Sequence, residues 1–304
     1  MNSKYAPWLL FLSPLAYLLS AILIAALLAY PLYLVIDLKI AFPRLVNRLG
    51  LGFLIIGIFP ARKKFGLSAG EMGFPGNWSS LMLQVSKGFL LGAVILGIVV
   101  ITLIALDVRS VMQNQIDGTA RLVRHLAGAL GTGMIVAVLE ESLFRGLLFG
   151  ALLKYGNTRS ALLITAFFYA GLHFIGGRGE VPAEELRWTS GLELVPAALV
   201  QIFNLANLDS FLALFVVSLF LCAVLIETPG GIGYCIGLHA AWVFIIKLTK
   251  RYTGAVPDSP WSFLIGSYDG VIGCLVLVWL LLITLVYGHR IRKKHRTTIT
   301  LTNQ

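Results

Sequence analysis

Apolar runs separated by short polar breaks make up most of the chain. A bilayer core of about 30 Å needs about 20 apolar residues per helix. Runs of that kind occupy residues 7–36, 49–60, 81–106, 126–153, 160–175, 211–226, 233–248 and 269–287. They predict eight membrane-spanning helices, of which 49–60 needs its flanking residues to reach across. The first run is too long and wrongly flanked for a cleaved signal peptide, and Pro14 and Pro31 are expected to trim or kink it. A ninth apolar stretch, 192–208, is interrupted by Pro196, Gln201, Asn204, Asn207 and Asp209, which suits a re-entrant or interfacial piece. Glycine pairs four apart, Gly88/Gly92, Gly146/Gly150 and Gly233/Gly237, fall inside spans, where small residues let helix backbones approach.

Composition agrees. Hydrophobic residues make up 58% of the 304, charged ones only 12%, and the mean hydropathy is +0.87. A soluble domain is about 25% charged, so this chain cannot cover a water-facing surface. Disorder, coiled coil and collagen are excluded by the same apolar fraction. The expected fold is an all-α polytopic bundle of about eight transmembrane helices. No repeat or linker divides it, so residues 1–304 read as one membrane domain. Cys222, Cys235 and Cys274 sit in apolar runs without paired spacing, which fits packing and not a disulfide framework or structural zinc.

The net charge is +10. The densest basic cluster, Arg290, Arg292, Lys293, Lys294 and Arg296, follows the last apolar run directly, so its expected partner is membrane lipid and not nucleic acid. Eight spans put both termini on one side. Basic residues balance across the two sides in total, but this tail (288–304) and Arg62-Lys63-Lys64 both favour the side of the termini, which is therefore read as cytoplasmic.

Charge inside the spans points to chemistry. Glu140, Glu141 and Arg145 lie near the middle of the fourth run. Each such charge costs about 2.5–3.5 kcal/mol at the bilayer centre, so three cost roughly 8–10 kcal/mol. That rivals the ~5–15 kcal/mol stability of an ordinary domain, so these residues must face a protein-lined or wet interior. Glu141 and Arg145, four apart, have the spacing of an ion pair that could serve packing alone. Glu140 is rotated about 100° from that face, and a midplane carboxylate there reads as functional.

Only two of the five histidines lie within apolar spans, His173 and His239. A Glu beside a neutral His is a general-base pair that can activate water, and a second His can donate to an oxyanion. The same Glu140, His173 and His239 would also suit zinc, and the residues alone leave that choice open. There is no H-E-x-x-H, Gly231-Ile232-Gly233 is followed by Tyr234 and not Asp, and no G-x-S-x-G sets a serine on an elbow.

Three segments taken together resemble a known family. Glu140-Glu141-x-x-x-Arg145, Tyr169-x-x-x-His173 and Gly237-Leu238-His239-Ala240-Ala241-Trp242 are similar, in order and spacing, to the motifs of the CPBP family. These are the CAAX-protease and bacteriocin-processing-type intramembrane endopeptidases, also called Abi proteins. The motif-bearing core is about 126–248. The resemblance implies peptide-bond hydrolysis in a multi-pass protein, of a bacterial inner membrane, with a membrane-associated peptide or protein as substrate. It implies that Glu140 and His173 activate water and that His239 helps hold the oxyanion, with no cofactor required. Many members carry Asn four positions after the second His. Here that position is Val243, which donates no hydrogen bond, and Asn204 is a substitute donor to consider. Two other classes compete: a catalytically impaired scaffold or immunity protein, favoured by Val243, and a proton-coupled transporter, disfavoured by the lack of an inverted repeat.

Overall fold

The computed structural model describes residues 7–36, 40–112, 118–175 and 182–302, with side chains for all of these except 7–11, 183 and 289–302. The basic side chains of the tail therefore lie outside the described residues. The helices are α1 (Pro7–Val35), α2 (Phe42–Ile56), α3 (Ile58–Lys64), α4 (Trp78–Ala105), α5 (Thr119–Glu141), α6 (Gly150–Tyr155), α7 (Thr158–Leu172), α8 (Ser190–Val200), α9 (Leu208–Glu227), α10 (Ile232–Tyr252) and α11 (Cys274–Thr302). Between α5 and α6 the chain winds as a π-helix, Ser142–Phe149. The strands are a three-residue antiparallel pair, β1 (Arg109–Val111) and β2 (Thr253–Ala255).

Among the described residues, six helical segments are long and apolar enough to cross a membrane: Leu12–Val35, Phe42–Lys64, Trp78–Ala105, Thr119–Tyr155, Leu205–Glu227 and Ile232–Tyr252. Thr158–Leu172, Ser190–Phe203 and Cys274–Gly288 are shorter apolar helices. The fold is an all-α polytopic membrane bundle, and each of the eight expected spans falls on a helix. The ninth stretch becomes α8 and a 3-10 turn. The short second span gains its length from both sides, running to Lys64 with a break at Gly57. Pro14 and Pro31 lie inside α1 without ending it, as membrane helices tolerate. Leu90, Ile101 and Ile135, each more than 60% exposed, are large apolar side chains suited to lipid contact.

By packing, the chain divides into two compact units, 1–68 with 142–205, and 69–141 with 206–304. In the first unit, Ala21, Ala25 and Ala29 form a buried small-residue stripe on α1. Gly191 of α8 approaches so closely that an added Cβ would overlap the Ala26 carbonyl. Tyr17 ties α1 to α2 by donating its hydroxyl to the Leu54 carbonyl.

In the second unit, α10 packs along both α4 and α5. A Cβ on Gly92 would stand 2.7 Å from the Leu238 carbonyl oxygen, and Gly237 meets the α4 backbone at Val85–Phe89 in return. Two of the three glycine pairs read from the sequence as packing devices, Gly88/Gly92 and Gly233/Gly237, thus seat α4 against α10. Every residue of α10 from Ile232 to Trp242 except Tyr234 is buried. A helix apolar all round is an interior helix. Below it, Arg109 of β1 donates from Nε and Nη2 to Thr253 Oγ1 and its carbonyl (2.6 and 2.8 Å) and from Nη1 to the Gly270 carbonyl (2.6 Å). Burial pushes this guanidinium below its usual range, and the Asp269 carboxylate counteracts the push.

Candidate active site

The buried seam of α5 explains the site in the second unit. Ala129, Gly133, Ala137 and Glu141 are its buried positions, spaced every fourth residue, so three small side chains and one acid share a face. A Cβ on Gly133 would stand 2.6 Å from the Ala240 carbonyl oxygen, so this face lies against α10 at close range. That approach brings His239 to Glu141: Nδ1 stands 2.8 Å from Oε1. Glu141 is 0% exposed and His239 4%. A carboxylate only accepts, so Nδ1 carries the proton and Nε2 is turned the other way. On that side Glu140 Oε2 stands 3.9 Å from Nε2, and the Glu140 side chain retains 24% of its exposure. One imidazole thus has a carboxylate at each ring nitrogen, the inner one sealed and the outer one on a part-exposed side chain whose Oε2 is buried.

The first unit holds the other predicted residues. His173 caps the C-terminal end of α7, and its Nδ1 donates to the Tyr169 carbonyl at 2.7 Å. The lone pair is then on Nε2. The imidazole lies against the Tyr169 ring, with centroids 4.6 Å apart. Arg145, 0% exposed on the π-helix, places its guanidinium carbon 4.4 Å from the same ring's centroid, and Phe144 meets it edge-on at 5.0 Å. Tyr169 is therefore the platform of this cluster, a role the sequence signalled only through its four-residue spacing to His173. A cation on a desolvated aromatic face is worth about 2 kcal/mol. Asn204 is exposed and within hydrogen-bond reach of Gln201. Val243, one turn after His239 on α10, is half-buried.

Within either unit, the described residues hold no cluster of three or more His, Cys, Asp or Glu side chains with the geometry for a metal ion. Cys222 and Cys235 are free and buried, and Cys274 is free and half-buried.

Comparison with known proteins follows the same segment. The family model described as type II CAAX prenyl endopeptidase, Rce1-like, matches residues 123–245. That range spans all three motifs, and the resemblance drawn from them is borne out. No curated protein matches the chain, and no solved structure does.

Proposed function

From the premise of a multi-pass membrane protein whose motif-bearing segment is that of the Rce1-like CAAX endopeptidases, we propose that Glu140 is the general base of peptide-bond hydrolysis. The substrate in this reading is a membrane-associated peptide, such as a lipidated C-terminus, a leader or a sorting tail. The observation that carries it is the carboxylate–imidazole–carboxylate row of Glu141, His239 and Glu140, in which Glu140 alone is part-exposed.

The roles follow from charge. Glu141, sealed behind Nδ1, orients His239 and balances a positive imidazole, as the third member of a triad does. With both nitrogens protonated, His239 donates Nε2–H toward the oxygen on which negative charge develops. Glu140 takes one proton from water while the remaining hydroxide bonds to the carbonyl carbon. Collapse of that intermediate breaks the carbon–nitrogen bond, and the proton on Glu140 passes to the leaving amine. Glu140 returns to a carboxylate, and the new acid loses its own proton to solvent. General-base help of this kind contributes about 10²–10⁴ in rate. His173, whose Nδ1 is committed to the Tyr169 carbonyl, has Nε2 as its other nitrogen for water activation in its own unit. No step of this sequence requires a cofactor.

The same reading puts both termini on the cytoplasmic side, supported by the Arg62-Lys63-Lys64 and tail clusters. The test of the catalytic reading is Glu140→Gln in protein reconstituted into vesicles with a panel of lipidated, leader and sorting-tail peptides. Cleavage is expected to fall by two or more orders of magnitude with the melting temperature unchanged. Near-wild-type turnover on a peptide the wild type cuts would sink the assignment.

A further inference from the structure

The first unit contains an apolar cavity of about 550 Å³ that the site chemistry does not use. Its wall is built by the α1 segment 13–20, by α2 and α3, by the π-helix, and by α6 and α7; Tyr17, Leu54, Leu147, Leu152 and Phe168 are typical of it. Its size falls in the range of about 300–1,000 Å³ that holds small ligands. The lining contains a single charged side chain, Lys64. This lysine is exposed at the end of α3, and it has no hydrogen-bond or ion-pair partner among the described residues.

Lys64 is the last residue of α3. Tyr155 donates to the Phe65 carbonyl at 2.9 Å and Lys154 to the Gly66 carbonyl at 2.6 Å, so the ends of α3 and α6 meet at this basic turn. Arg62 is committed to the turn as well, donating Nε to the Leu67 carbonyl at 3.0 Å. From there α7 starts after a two-residue connection, and its last residue, Leu172, still lines the cavity. The longest lined face is that of the π-helix and α6, where Leu143, Leu147, Ala151 and Tyr155 face the cavity over twelve residue steps, up to about 18 Å at 1.5 Å each, and α7 adds Phe168 and Leu172. The lining is thus apolar along that face, with one cation where α3 ends.

We propose that this cavity binds an anionic phospholipid, one acyl chain lying along the π-helix and α6 and the acidic headgroup paired with Lys64. Polybasic segments beside a membrane attract acidic headgroups, and here one cation of such a segment is held over an apolar slot. The site is independent of the endopeptidase reading, because its readout is bound lipid and not cleavage.

The experiment uses the full-length protein in nanodiscs, with phosphatidylglycerol in phosphatidylcholine as the probe and native mass spectrometry to count retained lipid. Wild type and Lys63→Gln are expected to retain phosphatidylglycerol selectively. Lys64→Gln should lose that selectivity by about tenfold or more. Ala16→Trp, which fills the slot from an exposed position of α1, should lose bound lipid of both kinds. Equal losses in Lys63→Gln and Lys64→Gln would mean diffuse surface attraction and would overturn the proposal. So would wild-type retention in Ala16→Trp. If Ala16→Trp blocked peptide cleavage while phosphatidylglycerol stayed bound, the slot would belong to the substrate's chain instead.

Discussion

Removing the two partners of the Glu141–His239 contact, singly and together, should give a double variant less damaged than the worse single one. The pair is 0% and 4% exposed, with the nitrogen and oxygen 2.8 Å apart. His239→Phe takes the imidazole from a carboxylate that remains buried, and breaking a buried pair in this way costs about 3–5 kcal/mol. Glu141→Leu leaves a buried N–H unanswered, at about 1–3 kcal/mol. With both replaced by apolar groups of similar shape, neither of these two penalties remains. A chain segment of this unit's size shifts its melting temperature by about 2–4 °C per kcal/mol. His239→Phe should therefore fall by at least about 6 °C, with much of that recovered when Glu141→Leu is added. A thiol-reactive dye reads this unit directly, since Cys222 and Cys235 are both 0% exposed until it opens. A Cys274→Ala background removes the half-buried thiol. Distant, independent sites add within about 0.5 kcal/mol. Additive losses would refute the claim that these two side chains satisfy each other.

Gly237→Val should cost most of the folded yield, because a Cβ there overlaps the Val85 carbonyl and Phe89 nitrogen of α4. Gly97→Ala, with open space around it, should be neutral by the same dye assay. Arg109→Ala should lower the melting temperature by more than Arg109→Lys, since three hydrogen bonds to Thr253 and Gly270 are lost and a lysine can restore only some of them. Val243→Asn should raise the single-turnover rate on a cleaved peptide, because a donor one turn from His239 acts only when negative charge develops on the carbonyl oxygen. A fall in that rate with unchanged stability would show that the site is built around an apolar residue there.

Span positions were legible because a 20-residue apolar run has one outcome in a bilayer, and the glycine pairs were legible because close approach demands missing side chains. The π-winding after Glu141 was not. Hydrophobic periodicity carries no mark of where i→i+4 bonding gives way to i→i+5. The β1–β2 pair was missed because three-residue strands are too short to show alternation. At the site, sequence spacing offered Glu141 a partner four residues away in Arg145. The fold supplies one 98 residues away in His239, through the Ala129–Gly133–Ala137 stripe that admits α10. That stripe was readable in the sequence, as an every-fourth run of small residues ending on an acid. Tyr169 was quoted as part of a motif, but its place between Arg145 and His173 depends on the π-helix and could not be read from spacing.

The π-helix Ser142–Phe149 has a consequence for how this chain tolerates change in length. Each of its residues turns the backbone through less than the 100° of an α-helix, so eight of them accumulate a phase lag between the acids before it and everything after. Removing any one residue from this stretch would relieve the looser winding and restore ordinary helix at little cost in hydrogen bonds. It would leave Glu140 and Glu141 at their stations on α5 and shift the register of the residues that follow the deletion. Insertions and deletions here behave as angular settings, whereas in α5 or α10 the same edit would carry Glu141 or His239 off the seam between those helices.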